Sequence, residues 1–600
     1  MHAHAAMIPS PGPAFPIPDL LSKEPMVRID LADLRETLVF AFAMGGSVEA
    51  FDRAVAGAAL PESGWDRANF ARDLFLDQLL EGALSVRVGG RAYEVSRPYL
   101  LRALGEPPRD REVVLFRRGI LSELASSKET RAELERLYME IVRLRAMLCA
   151  GRYTARALRR LEILRAIHTV INCAADSFVN ATSGLTRLRD FGRAIREGQA
   201  YRRLDALLDH EEHMGTVDVR VRVGSDGEVR TFQILGVREN RDNPFHTSPI
   251  GRWLAKLRLF FRGYRMNGAE VIERLFDDVF TGLEEGIALF FQALADMEFY
   301  LAGLNLRDRA QAKGLSVCLP ELGEPGAAKG ASGMRLRGLF NPLLLANKSA
   351  PIPCDIQMER AGSVVIVTGP NSGGKTRLLQ AIALAQLLGE AGLFVPAREA
   401  HLPRVAGLFV SLLEEARADQ PEGQLGMELI RIRRMFEQIE MGSLVLLDEL
   451  CSGTNPSEGE EIARLVLSLL PEIGAQAFVS THLLQFAAAL AEERAIAEIA
   501  FLQVELDAGE RPTYGFIPGV AKTSLAHKTA ARLGVTRDEL TSLIVAKKRA
   551  AADKTARLLG EPAEHVEGGE EAGDLAARPN HGDAVNPLHG HQRTGVNDGW

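Results

Sequence analysis

The sequence predicts a multidomain chain of α and α/β class: a largely helical region carrying a small β-hairpin, then a domain built on a mixed, mainly parallel sheet. Three observations carry that expectation. From Ser127 to Ile195 apolar residues recur at helical spacing, as in Leu134, Leu137, Ile141, Leu144 and Leu148, with Arg and Glu between them. Three short apolar runs in the second half (364–367, 444–447 and 477–479) are unbroken, the pattern of strands buried on both faces of a parallel sheet. Each run ends in polar residues, where strands of an open α/β sheet present their ligand-binding ends.

Residues 1–26 are expected to form a disordered N-terminus, and the opening Met1–Pro9 lacks the basic region and long apolar core of a secretory signal. Residues 27–310 read as a helical core region, mixed but mostly helical from about 30 to 110. Within it Val217–Val223 and Glu228–Leu235 alternate strictly around Gly224-Ser-Asp-Gly227, which predicts a β-hairpin over 217–235. Helices resume at 269–303 with Leu283, Ile287, Phe290, Leu294, Met297 and Leu301 on one stripe. Residues 311–545 make the second domain, with helices running to about 559, and 560–600 a disordered acidic tail.

The net charge of −8 is concentrated in that tail, where eight acids face two arginines and leave the rest of the chain at −2. Its Gly, Pro, Asn and His content with few apolar residues cannot build a core. Five cysteines are scattered without a C-x-x-C pair, which suits a reducing, cytoplasmic setting. No run reaches about 18 uninterrupted apolar residues, the length of an ordinary membrane span.

The chemistry begins at the first apolar run, which breaks into Gly369-Pro370-Asn371-Ser372-Gly373-Gly374-Lys375-Thr376 and then an apolar periodic helix. That is the G-x-x-x-x-G-K-[ST] spacing of a P-loop in its strand-loop-helix context. Backbone N–H groups at a helix N-terminus, a lysine and a hydroxyl together neutralise a nucleoside triphosphate and its Mg²⁺. The second run ends in Asp448-Glu449, placing one carboxylate to hold Mg²⁺ with Thr376 and a second to deprotonate the attacking water. The third ends in Ser480-Thr481-His482, and His482 is a candidate contact to the γ-phosphate.

Together these strings resemble the MutS family of DNA mismatch-repair ATPases over roughly residues 280–550. Thr368–Thr376 looks like that family's TGPNxxGKST, Leu444–Gly459 like its LVLxDExxxGT…G block, and Ser480–His482 like its ATH switch. Tyr514-Gly-Phe-Ile-Pro-Gly-Val520 with Ser524 is similar to its Y-x-x-x-x-G-V-x-x-x-S segment, and Asn341-Pro342-Leu343 to its His-Pro-x-Leu. The resemblance implies an ABC-type P-loop ATPase domain, ATP and Mg²⁺ as cofactors, dimerising C-terminal helices, a homodimer, and mismatched or branched DNA as partner.

Three departures stand beside the matches. Arg377 replaces the second P-loop hydroxyl, and Gly423-Gln-Leu-Gly-Met-Glu428 lacks the serine that the family sends to the partner's nucleotide, although Glu428 keeps the acidic slot. No Phe-x-Glu mismatch wedge occurs in the chain. About 360 residues precede the P-loop, fewer than in full-length mismatch readers, which resembles the subgroup lacking the mismatch-reading front domains.

Arg220 and Arg222 of the hairpin, with Arg258 and Arg262 beyond it, are interleaved with Trp253, Phe260, Phe261 and Tyr264, a pattern able to hold a phosphate backbone. The function expected is an ATP-dependent DNA-binding protein. The alternative is an ATP-driven clamp or scaffold acting on protein or ribosomal RNA.

Overall fold

A computed structural model describes residues 15–150, 156–213, 216–223, 229–238, 276–325, 333–358, 360, 362–412, 424–450, 455–493, 499–523 and 533–559. The chain divides into two compact units, Met1–Ser524 and Leu525–Trp600. The second is described as the helix Arg537–Leu559 with the turn before it.

Among the described residues of the first unit, helices between Leu31 and His213 pack around one long helix, Glu284–Ala312. Local chemistry sets their starts: Asp30 accepts from the N–H groups of Ala32 and Asp33, and Ser127 accepts from that of Thr130. Glu284–Ala312 is long and apolar enough to cross a membrane by length and composition, yet every residue of its most apolar window is buried inside the fold. It is the central core helix, with Phe51 stacked on Phe291 and Phe191 packed edge-on against Phe290.

Polar groups on that helix organise what surrounds it. The Asp296 carboxylate accepts from the Leu20 N–H (3.0 Å), the Tyr99 hydroxyl (2.6 Å) and the Arg28 guanidinium, which also pairs with Asp19 (3.1 Å). Residues 19–28 therefore lie within the folded body, with Leu20 and Leu21 fully buried. That corrects the expectation of disorder over 1–26 for its second half; residues 1–14 are outside the described residues. The physical reason is a buried charge network with its partner 270 residues away, which no local pattern reveals.

Glu298, also buried, accepts from the Ser96 N–H at 3.0 Å. Burial pushes its carboxyl up to about 8, against the pull of Arg145. Its folded value lies above the ordinary one, so between about 4.5 and 8 the folded chain holds a proton that the unfolded chain has lost. This contribution is complete below the lower value and is lost as pH rises through the upper one. Glu298→Gln removes the titration, so the stability gap between wild type and variant, measured by urea unfolding, should change between pH 5 and 8. A gap constant with pH would contradict this.

The strands follow in order: β1 (Arg87–Val88), β2 (Arg91–Ala92), β3 (Thr216–Val223), β4 (Val229–Arg238), β5 (Glu321–Pro325), β6 (Arg335–Leu339), β7 (Cys354–Gln357), β8 (Val364–Thr368), β9 (Glu399–Arg404), β10 (Leu408–Ser411), β11 (Leu444–Leu447), β12 (Gln476–Thr481), β13 (Ile499–Leu506) and β14 (Pro512–Pro518). β3 and β4 form the antiparallel hairpin, Val217 opposite Val237 and Val221 opposite Phe232. β5, β9, β6 and β7 make a four-stranded mixed sheet that periodicity does not announce, because its short strands carry Glu, Gly, Pro and Arg.

The second sheet has six strands in the order β10-β11-β12-β8-β13-β14. Pairings from β10 to β13 are parallel and β13-β14 is antiparallel. Every residue of β8, β10, β11 and β12 is buried, as expected for strands whose centres are apolar runs in a mainly parallel sheet. The fold is thus mixed helical and α/β, with both sheets mixed.

Candidate nucleotide site

β8 is central in the sheet, and its carboxyl end runs directly into the glycine-rich loop. The helix Lys375–Ala391 starts on Gly374, whose φ of 88° is left-handed, and Gly369 has φ 137°. Space as well as φ demands glycine here. A Cβ on Gly369 would come within 2.6 Å of Val504, and one on Gly373 within 2.8 Å of it. A Cβ on Gly374 would lie 3.3 Å from the ring of Tyr514, so the β13-β14 hairpin braces the loop from one side.

Lys375 is 3% exposed and donates to the Gly369 carbonyl (3.0 Å), the Pro370 carbonyl (3.4 Å) and Asn371 Oδ1 (3.4 Å). Burial pushes its ammonium below the ordinary lysine range, while Glu449 and Asp448 draw it back up. Asn371 and Ser372 are exposed on the loop. A buried cation beside the N-terminus of a 17-residue helix makes a strongly positive anion cradle.

The acids arrive from the neighbouring strands. Asp448 follows β11, and its carboxylate accepts from Thr376 Oγ1 of the loop and from Ser480 Oγ of β12. One carboxylate thus ties three strand ends together. Glu449 adopts φ 52°, a left-handed conformation costing a non-glycine residue about 1–3 kcal/mol, and its N–H donates to Ser480 Oγ at 3.1 Å. His482 Nδ1 lies 3.9 Å from Glu449 Oε2, both side chains about one third exposed. Thr376, Asp448, Glu449, Lys375 and His482, predicted from three separate strings, are brought to one sheet edge.

Ser480 was not assigned a role from sequence; its signal is a hydroxyl at a strand end beside the Asp448 strand. Arg377 turns along its helix to donate to Gln380 Oε1 (2.8 Å), and its carbonyl accepts from Asn341 (3.0 Å). Gln380 in turn donates to the Asp73 carbonyl (3.1 Å), so the start of this helix is tied to the turn that precedes the helix Leu76–Glu81. Glu428 lines a small cleft together with Asp448, Arg431 and Met435. Arg220 and Arg222 sit two apart on β3, Cα-paired with Gln233 and Thr231. Arg258, Arg262, Gly423 and Cys451 lie outside the described residues.

A six-stranded sheet with a buried loop lysine, a loop hydroxyl and a bridging aspartate defines a P-loop nucleotide-binding domain. Residues 365–542 match the family model of MutS domain V. The chain is 33% identical over 263 residues to Endonuclease MutS2 of Thermomicrobium roseum, covering 42% of this chain and 32% of that protein. It is 30% identical over 289 residues to Endonuclease MutS2 of Thermus thermophilus, 48% of this chain and 36% of that one. Against the mitochondrial DNA mismatch repair protein MSH1 of Arabidopsis thaliana it is 33% identical over 229 residues, 37% of this chain and 20% of the relative. Over these residues the chain is similar to MutS-family proteins, and members of that family are ATPases. It matches about a third or less of each relative's length.

Proposed function

We propose that this chain hydrolyses ATP with Mg²⁺ and couples the nucleotide cycle to mismatched or branched DNA in repair or recombination, acting as a homodimer in the cytoplasm. The observation that carries the reading is the Thr376–Asp448–Ser480 junction, which links the phosphate loop to two strands and holds Glu449 and His482 beside it. The order of the mainly parallel sheet supports an ABC-type arrangement of the ATPase domain. The relatives' names, endonuclease and DNA mismatch repair protein, support DNA as the partner.

The donor set fits a hard divalent cation: the Thr376 hydroxyl and an Asp448 carboxylate oxygen already lie within hydrogen-bond reach of each other. Those two residues would hold Mg²⁺, which when bound neutralises charge on the β- and γ-phosphates. Lys375 and the N–H groups of the loop bind the phosphates, and the carbonyls of Gly369 and Pro370 release the lysine to them. Glu449 accepts the proton of the attacking water, and its strained backbone fixes where that carboxylate points. His482 donates to the γ-phosphate. Ser480 holds Asp448 and the Glu449 backbone in one register.

The test is the ATPase rate of the purified chain with and without homoduplex, mismatched and branched DNA at low and high salt. One DNA form should stimulate turnover, and salt should abolish the effect through counterion competition. Turnover indifferent to all three would overturn the DNA reading in favour of a clamp on protein or ribosomal RNA.

A further inference from the structure

We propose that the β1-β2 hairpin and the last turns of the core helix Glu284–Ala312 form a phosphate site from Arg87 and Arg309, which takes a backbone phosphate of bound nucleic acid. The nature of the source rests on the DNA-responsive reading above; the phosphate chemistry does not.

The geometry starts at Asn305, whose side-chain amide donates to the Arg87 carbonyl at 3.3 Å and so seats β1 on the helix. Arg309 is one turn further along that helix, on the same face and about 6 Å on. Across the hairpin Val88 pairs with Arg91, and the turn between them is Gly89-Gly90 with φ 58° and 80°, the two left-handed positions of a type I′ turn. A Cβ on either glycine would meet nothing within 4 Å, so the tip stands open and a ligand has room beside it.

Charge is what makes this arrangement unusual. Arg87 and Arg309 make no ion pair among the described residues, whereas Arg97 has Asp77 and Glu81, and Arg131 has Glu135 and Asp308. Asp308, the acid next to Arg309 in sequence, is thus committed to Arg131. Burial and then the charge of Arg87 hold the Arg309 guanidinium below its ordinary range, with no carboxylate acting the other way. Helix C-terminal carbonyls favour one cation there, but they do not account for a second facing it. An oxyanion between the two forks relieves the repulsion and accepts from both, the geometry arginine offers to phosphate.

The test uses the full chain and its Arg87→Gln/Arg309→Gln variant, with DNA affinity read by fluorescence anisotropy across a salt series. The variant should bind about 10-fold or more weaker at low salt, and its slope of log affinity against log salt should fall by about 0.9 per lost contact. DNA-free ATPase should be unchanged, and Arg309→Lys, which keeps the charge, should retain most of the slope. Affinity and slope equal to wild type would overturn the nucleic-acid source. A second arm measures inorganic phosphate by equilibrium dialysis: the variant should lose one site, and equal stoichiometry would overturn the site itself. If the wild type binds no DNA, the broader reading fails, and the phosphate arm alone decides this site.

Discussion

Glu449→Ala should leave ATP bound and reduce its hydrolysis by roughly 10²-fold or more, the usual contribution of a positioned general base. That loss is about 2.7 kcal/mol of transition-state stabilisation. Binding should persist because the loop cradle, Lys375 and Thr376 are untouched: Glu449 stands on β11's end, and its backbone contact is to Ser480 rather than to the loop. Filter binding of ATP alongside single-turnover hydrolysis separates the two effects. Turnover near the wild-type rate would remove Glu449 from the catalytic role and turn attention to His482, 3.9 Å away.

Arg28→Met should destabilise the first unit by about 3–5 kcal/mol, the scale for breaking a buried ion pair from one side. Arg28, Asp19 and Asp296 have no exposed side-chain surface, so the substitution leaves two carboxylates facing each other out of water. The Leu20 N–H and the Tyr99 hydroxyl both donate to Asp296, so the N-terminal segment should loosen with it. Thermal and urea unfolding read the loss, and hydrogen exchange at residues 19–28 locates it. A triple variant with Asp19→Leu and Asp296→Leu added should recover part of the stability, because no uncompensated charge then remains. An unfolding midpoint unchanged in Arg28→Met would show that the network contributes nothing net.

The nucleotide site was legible because its chemistry is written in contiguous strings: strand, loop and helix for Gly369–Thr376, and strand ends for Asp448-Glu449 and His482. Strand burial was equally readable, since β8, β11 and β12 are each built on an apolar run. What sequence could not give is pairing at a distance. Asp296 holds residues 19–28 through contacts some 270 residues apart, and Ser480 earns its role only when β12 lies beside β11. The Arg87–Arg309 approach likewise needs the fold, because each arginine alone reads as a solvated charge. The four-stranded sheet escaped because strands such as Glu321–Pro325 carry turn-forming residues and take their register from β9.

The central claim is that nucleotide state and DNA are coupled, and coupling is reciprocal: if DNA alters ATP binding, ATP must alter DNA binding by the same factor. The most direct measurement is the DNA affinity of the Glu449→Ala protein, which holds ATP and consumes it about 10²-fold or more slowly, in saturating ATP and in saturating ADP. The account predicts affinities differing by about 5-fold or more, on the scale of ordinary allosteric coupling. Equal affinities in the two nucleotides, with DNA bound in both, would contradict it.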